Sequence, residues 1–106
     1  MSKAPLTKEE VRKGWIKHIE WQGKVIDATI KTLEVSVNKC LPDTADLAAR
    51  ASALIGSTRN TLTSAHMFED ITEKQMTEYL SQSYRRDEKL SKLTGIFKTK
   101  CQCHLK

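Results

Sequence analysis

The feature that most constrains this chain is a helical period of apolar residues that occupies most of its first forty residues. Apolar or neutral residues recur at steps of three or four, which is the period of an α-helix and not of a strand. Thr7 and Glu10 form a T-x-x-E capping box just before this period begins. The pattern predicts one amphipathic helix over about residues 8–38. Its periodic positions are Val11, Trp15, Ile19, Gln22, Ile26, Ile30, Leu33, Val37 and Cys40.

A helix of this length does not fit inside a compact globule of 106 residues. About 31 residues at about 1.5 Å per residue give a rod of roughly 46 Å. A compact chain of this size has a radius of gyration of only about 13 Å. The rod would overhang such a globule, so we expect an elongated molecule that is completed by another chain, and hence an oligomer.

Two further helices follow the first one. A break at Pro42 precedes a second helical period over about residues 44–67. A second capping box, formed by Thr72 and Gln75, begins a third helix over about residues 73–94. We therefore expect an all-α fold: an elongated antiparallel three-helix bundle, or a helical hairpin with a long first helix.

Length and charge divide the chain into a helical domain and a short basic tail. A chain of 106 residues is one domain by length, and we assign residues 1–97 to it. No acidic residue follows Glu88, whereas lysines continue to the last position. Residues 98–106 are therefore expected to form a basic, flexible tail that carries two cysteines.

The number of cysteines predicts a cellular compartment, whereas their positions do not predict a metal site. Three cysteines are an odd number and do not form a secreted disulfide framework, which favours a reducing, cytoplasmic compartment. Cys101, Cys103 and His104 are soft ligands, but structural zinc takes four, so they are weak metal candidates and we expect no metal or cofactor. Acylated cysteines or a disordered tail are the alternatives. No segment approaches the length of a transmembrane helix.

Catalytic signatures are missing from the sequence. The chain has no HExxH or GxSxG motif and no glycine-rich phosphate loop. Its carboxylates and histidines are scattered, and none is paired with a nucleophile at helical spacing. We therefore predict that this protein is not an enzyme.

Two tryptophans near the start of the first helix point to a binding role. Trp15, His18 and Trp21 follow one another at steps of three, and tryptophan dominates the binding energy of protein interfaces. The same residues could also be ordinary core. We predict a partner-binding face made of Trp15, His18, Ile19, Trp21 and Ile26, facing another protein or a second copy. This face favours the prediction that the protein is a non-enzymatic interaction module: a small adaptor, a chaperone-like protein or a regulatory subunit.

The alternative is a basic nucleic-acid-binding regulator. The net charge is +5, and basic residues are frequent in the third helix and the tail. Lysine and arginine on one helix face neutralise phosphates, which is the sequence-independent part of nucleic-acid affinity. The candidate residues for this role are Arg85, Arg86, Lys89, Lys92, Lys98 and Lys100.

Overall fold

The computed structural model describes residues 5–101, which form three α-helices and no strand. Helix α1 spans Lys8–Lys39, α2 spans Thr44–Met67 and α3 spans Glu73–Lys100. All three pairs of helices pack against each other. The predicted all-α class and the bundle are therefore confirmed.

Both capping boxes form as the sequence predicts. The Thr7 hydroxyl accepts from the Glu10 backbone N–H at 3.1 Å, and Glu10 Oε1 accepts from the Thr7 N–H at 3.1 Å. At the start of α3, Thr72 and Gln75 exchange the same two bonds at 3.1 and 2.9 Å. Each box satisfies two backbone donors that a helix start otherwise leaves unpaired.

Helix α3 continues six residues beyond its predicted end at residue 94. Gly95 directly follows the predicted end and is a residue type common just after a helix, but it does not adopt the left-handed conformation of a helix terminus. Phe97 packs against the core and Cys101 is fully buried, so burial carries the helix onward. The expected flexible tail therefore does not begin at residue 98. Its remaining positions, 102–106, lie outside the described residues.

Helices α1 and α3 run side by side in the same direction. Three polar pairs of side chains join α1 to α3. From one pair to the next, the residue number increases in both helices. The molecule measures 62 × 32 × 16 Å, with a radius of gyration of 17.5 Å. This radius exceeds the value of about 13 Å for a compact chain of this length. The pairs are Glu20–Tyr79, Asp27–Arg86 and Glu34–Lys89.

The core consists of two apolar clusters separated by a polar layer. Gln22 of α1, Thr58 of α2 and Ser83 of α3 are buried in this layer. The Ser83 hydroxyl accepts from Arg59 Nε at 3.1 Å, and the Thr58 hydroxyl donates to a backbone carbonyl. The larger cluster holds Ile26, Ile30, Leu33, Val37, Ala51, Ile55, Leu90 and Leu93. The smaller one holds Ile19, Leu62, Ala65 and Ile71.

A disulfide joins Cys40, the residue after α1, to Cys101, the residue after α3. The two cysteines are 61 positions apart in the sequence, yet their Cα atoms are 5.5 Å apart. They meet because α1 and α3 run in the same direction and end at the same end of the bundle. This bond does not fit the predicted reducing compartment. Over residues 5–101, no helix combines the length and the hydropathy that crossing a membrane requires.

Candidate partner-binding surface

One face of α1 is an unbroken row of uncharged residues that the bundle leaves accessible. Positions along this row are separated by alternating steps of three and four, which is the heptad period of paired helices. Two of the residues, Val11 and Val25, are half-buried, and the others are exposed. We call this row the α1 stripe. It consists of Val11, Gly14, His18, Trp21, Val25, Ala28, Thr32 and Val35.

An aromatic pair stands at the middle of the α1 stripe. The Trp21 side chain is 59% exposed, and the ring of His18 stacks on it at 5.9 Å with 20° between the planes. Val35, further along the stripe, is 51% exposed. An exposed indole beside exposed aliphatic groups is apolar surface that a second macromolecule can remove from water. The stripe is therefore a candidate binding surface with an exposed aromatic pair.

The other predicted partner residues lie elsewhere. Ile19 and Ile26 are only 2% and 1% exposed, because α2 and α3 cover the face of α1 that carries them. We therefore leave both out of the surface. Trp15 is half-buried, and its Nε1 donates to Asp70 Oδ2 at 2.8 Å, in the connection between α2 and α3. Of the predicted face, His18 and Trp21 remain on the open surface.

Six members of the stripe were not in the predicted partner-binding face: Val11, Gly14, Val25, Ala28, Thr32 and Val35. Their side chains are small or weakly apolar, and the stronger core period of α1 hides them. A detectable signal existed in the charges. None of the eight stripe positions between residues 11 and 35 carries a lysine, arginine, aspartate or glutamate, although α1 as a whole is rich in lysine and glutamate.

One border of the α1 stripe is basic, whereas the other carries charges of both signs, with Asp46 one turn before Arg50 in α2. Lys17, Lys24 and Lys31, seven residues apart, form a lysine row along one border, and none of them forms an ion pair with a described residue. On the other border, Arg50 of α2 is exposed. Arg50 lines a hollow of about 280 Å³ together with stripe residues and Leu47. A second hollow of about 460 Å³ lies around Leu6 and the first residues of the stripe.

A polar cleft of about 350 Å³ lies between α1 and α3. Tyr79 Oη donates to Glu20 Oε1 at 3.4 Å in this cleft. Burial raises the pKa of the Tyr79 phenol above 10.0, and the negative charge of Glu20 raises it further. Arg86 closes the cleft with a two-pronged bond to the Asp27 carboxylate at 2.8 and 3.2 Å. The polar groups of the cleft are thus used to join the two helices.

The predicted nucleic-acid residues are largely paired within the chain. Arg86 binds Asp27, Lys89 approaches Glu34 at 3.7 Å, and Lys92 approaches Glu88 at 3.5 Å. Lys100 donates to the backbone carbonyl of Asn38 at 3.0 Å. Arg85 and Lys98 are exposed. The carboxylates beside these cations lower the positive potential that phosphate binding uses.

The weak metal candidates are not assembled. Cys101 is bonded to Cys40, so its sulfur is not a free thiolate, while Cys103 and His104 lie outside the described residues. Over residues 5–101, no three His, Cys, Asp or Glu side chains form a cluster that could hold a metal ion.

Comparison with known proteins does not indicate a function for this chain. No protein-family model, no curated protein and no solved structure matches this chain. The α1 stripe, its aromatic pair and the lysine row are the features from which a function can be argued.

Proposed function

We propose that this protein is a non-enzymatic protein–protein interaction module that acts through the α1 stripe. It would serve as a small adaptor, a chaperone-like protein or a regulatory subunit. The observation that carries the proposal is the exposed pair of Trp21 and His18 within an uncharged heptad row. A buried tryptophan contributes about 150–250 Å² of contact area, and such residues dominate the energy of interfaces.

The arrangement of the bundle supports this role. Residues 40–43 and 68–72 are short connections, and short connections join antiparallel neighbours in helical bundles. We propose that α2 runs antiparallel to α1 and α3, which covers the core face of α1 and leaves the stripe open along its length. Two classes of partner fit such a surface: a second copy, as the length of α1 predicted, or a different protein.

A capture experiment with matched variants tests the proposal. The double variant Trp21→Ser, Val35→Ser removes two exposed apolar groups from the stripe. The control variant Tyr84→Ser, Ile96→Ser removes an exposed aromatic and an exposed aliphatic group from α3. Lysate with and without nuclease treatment is passed over each immobilised protein, and the mass of the free protein is measured by light scattering.

We expect the stripe variant to lose captured protein, or a dimer mass, that the wild type and the α3 control retain. Equal capture and equal mass for all three proteins would contradict the proposal. Capture that disappears with nuclease would instead support the nucleic-acid alternative.

A further inference from the structure

We infer that the partner of the α1 stripe is an α-helix of another protein, with apolar residues at heptad spacing and a row of acidic residues on the side that faces the lysine row. This inference rests on the proposed function and names the partner class. It joins three properties of the surface: its period, its shape and the charge of the lysine row.

The period of the stripe matches a helix. Steps of three and four alternate strictly from Val11 to Val35, which is more than three heptads. A sustained heptad is the spacing at which the side chains of one helix fit between those of another. These steps occur on any face of α1, but this accessible face also carries no lysine, arginine, aspartate or glutamate over that length. The surface along α1 therefore fits one helix laid lengthwise.

The shape of the stripe, a projecting ring between two hollows, fits a partner with large apolar side chains. Trp21 projects from the middle, and small residues, Gly14 and Ala28, stand one heptad away on either side. Hollows of about 460 and 280 Å³ lie at these two places. Side chains such as leucine fill depressions of this kind, and a ridge between them fixes the register of the helix.

The charge of the lysine row selects an acidic flank on the partner. The lysine row of Lys17, Lys24 and Lys31 borders one side, and Asp46 and Arg50 stand on the other. The carboxylates of α1 nearest to these lysines, Asp27 and Glu34 among them, face α3 and pair with its cations. Complementary potentials across an interface attract the partner and fix its orientation.

A second copy would not place acidic residues against the lysine row. If two stripes paired in antiparallel directions, the lysine row of one copy would face the lysine row of the other, with Lys24 opposite Lys24. If they paired in parallel directions, each lysine row would face the side that carries Arg50. In neither direction does the lysine row meet a row of carboxylates, and in the antiparallel direction like charges meet, which disfavours the pairing.

Three synthetic helices of about 28 residues, or four heptads, test the inference. The first has leucine at the two core positions of each heptad and glutamate at the flanking positions. The second has lysine at the flanks, and the third keeps the glutamates but replaces leucine with serine. Binding is measured by anisotropy of the labelled peptides at physiological salt and by the emission wavelength of the protein tryptophans. We expect the first peptide to bind at least about tenfold more tightly than the others and to shift the emission to the blue.

Charge reversal gives the matched control. The variant Lys17→Glu, Lys24→Glu, Lys31→Glu reverses the lysine row. The variant Lys74→Glu, Lys92→Glu, Lys98→Glu makes the same change in net charge on exposed positions of α3. We expect the first variant to prefer the lysine-flanked peptide over the glutamate-flanked one. The second variant should keep the wild-type order, because its changes lie away from the stripe.

Two results would overturn the inference. One is equal binding of the glutamate-flanked and lysine-flanked peptides, or binding of neither. The other is a wild-type dimer that depends on Trp21 and that the glutamate-flanked peptide does not dissociate, which would assign the stripe to a second copy. In both cases a capture that Trp21→Ser abolishes would leave the proposed function standing, so the two failures can be told apart.

Discussion

Asp70 holds the side chain of Trp15 in place, and no such bond holds Trp21 within the described part of the chain. The two indoles are six residues apart on one helix, yet one is tied to the α2–α3 connection and the other is open to solvent. The sequence could not separate these roles, because Asp70 is 55 positions from Trp15 and becomes its neighbour only in the folded bundle. It could place Trp15 on the apolar period of α1 and Trp21 off it, but it could not identify the bond that holds Trp15.

Replacement of each tryptophan by phenylalanine should separate their contributions. Trp15→Phe removes the Nε1 donor and leaves a half-buried carboxylate without it, so we expect a loss of about 1 kcal/mol in the free energy of unfolding. Trp21→Phe changes an exposed ring and should leave that free energy nearly unchanged. Urea denaturation followed by circular dichroism measures both. Equal losses would contradict the different roles given to the two rings.

Glu10 should make the start of α1 sensitive to acid. The Thr7 backbone N–H, and then the Thr7 hydroxyl, hold the pKa of the Glu10 carboxyl below its ordinary value of 4.5. Because this pKa is lower in the folded protein, Glu10 stabilises the fold above pH 4.5 and loses that effect as the pH falls through the folded-state value. Thermal midpoints measured across this range should decline less in Glu10→Gln. Gln75 in α3 shows that an amide supports the same box. An unchanged decline in the variant would contradict this role of Glu10.

At the scale of the elements, local signals predicted where helices begin but not where α3 ends. The T-x-x-E and T-x-x-Q boxes depend on residues three apart, so the sequence shows both partners of each bond. The end of α3 depends on Phe97 packing and on Cys101 meeting Cys40, which only the bundle brings together. The α1 stripe was missed for a related reason, since its small residues matter only once the opposite face of α1 is covered.

The glycines of α1 should respond differently to the same substitution. A Cβ at Gly14 meets no atom within 4 Å, so Gly14→Ala should gain about 1 kcal/mol of helix propensity. At Gly23 the new Cβ would lie 2.9 Å from Arg86 Nη2, which must shift away from Asp27. We expect a smaller gain or a loss for Gly23→Ala. Equal gains in urea denaturation would show that Arg86 adjusts without cost.

At the scale of the whole molecule, the disulfide gives the bundle a second connection between α1 and α3. The sequence showed three cysteines, and an odd count favoured free thiols. Pairing across 61 positions follows from the shared direction of α1 and α3, which no local pattern reveals. The same contact belongs to a helix that continues past the predicted start of the tail, and it does not fit the predicted reducing compartment.

Loss of this bond should cost stability without changing the helices. Closing a loop of this length restricts the unfolded chain, so we expect Cys40→Ser to lower the free energy of unfolding by about 3–4 kcal/mol. Reductant should lower the free energy of unfolding of the wild type to that of the variant. It should leave the free energy of unfolding of the variant unchanged. A thiol assay on the unreduced, denatured wild type should find one free thiol per chain. Three free thiols would contradict the disulfide.

The bond between Cys40 and Cys101 also makes α2 and α3 parts of a covalent ring. A protease that cuts once between residues 68 and 72 opens that ring without releasing a fragment. On a denaturing gel without reductant, the nicked chain would keep its full mass, and two pieces would separate only after reduction. Electrophoresis of the digested protein with and without thiol reagent would therefore display the ring directly, as one band that becomes two.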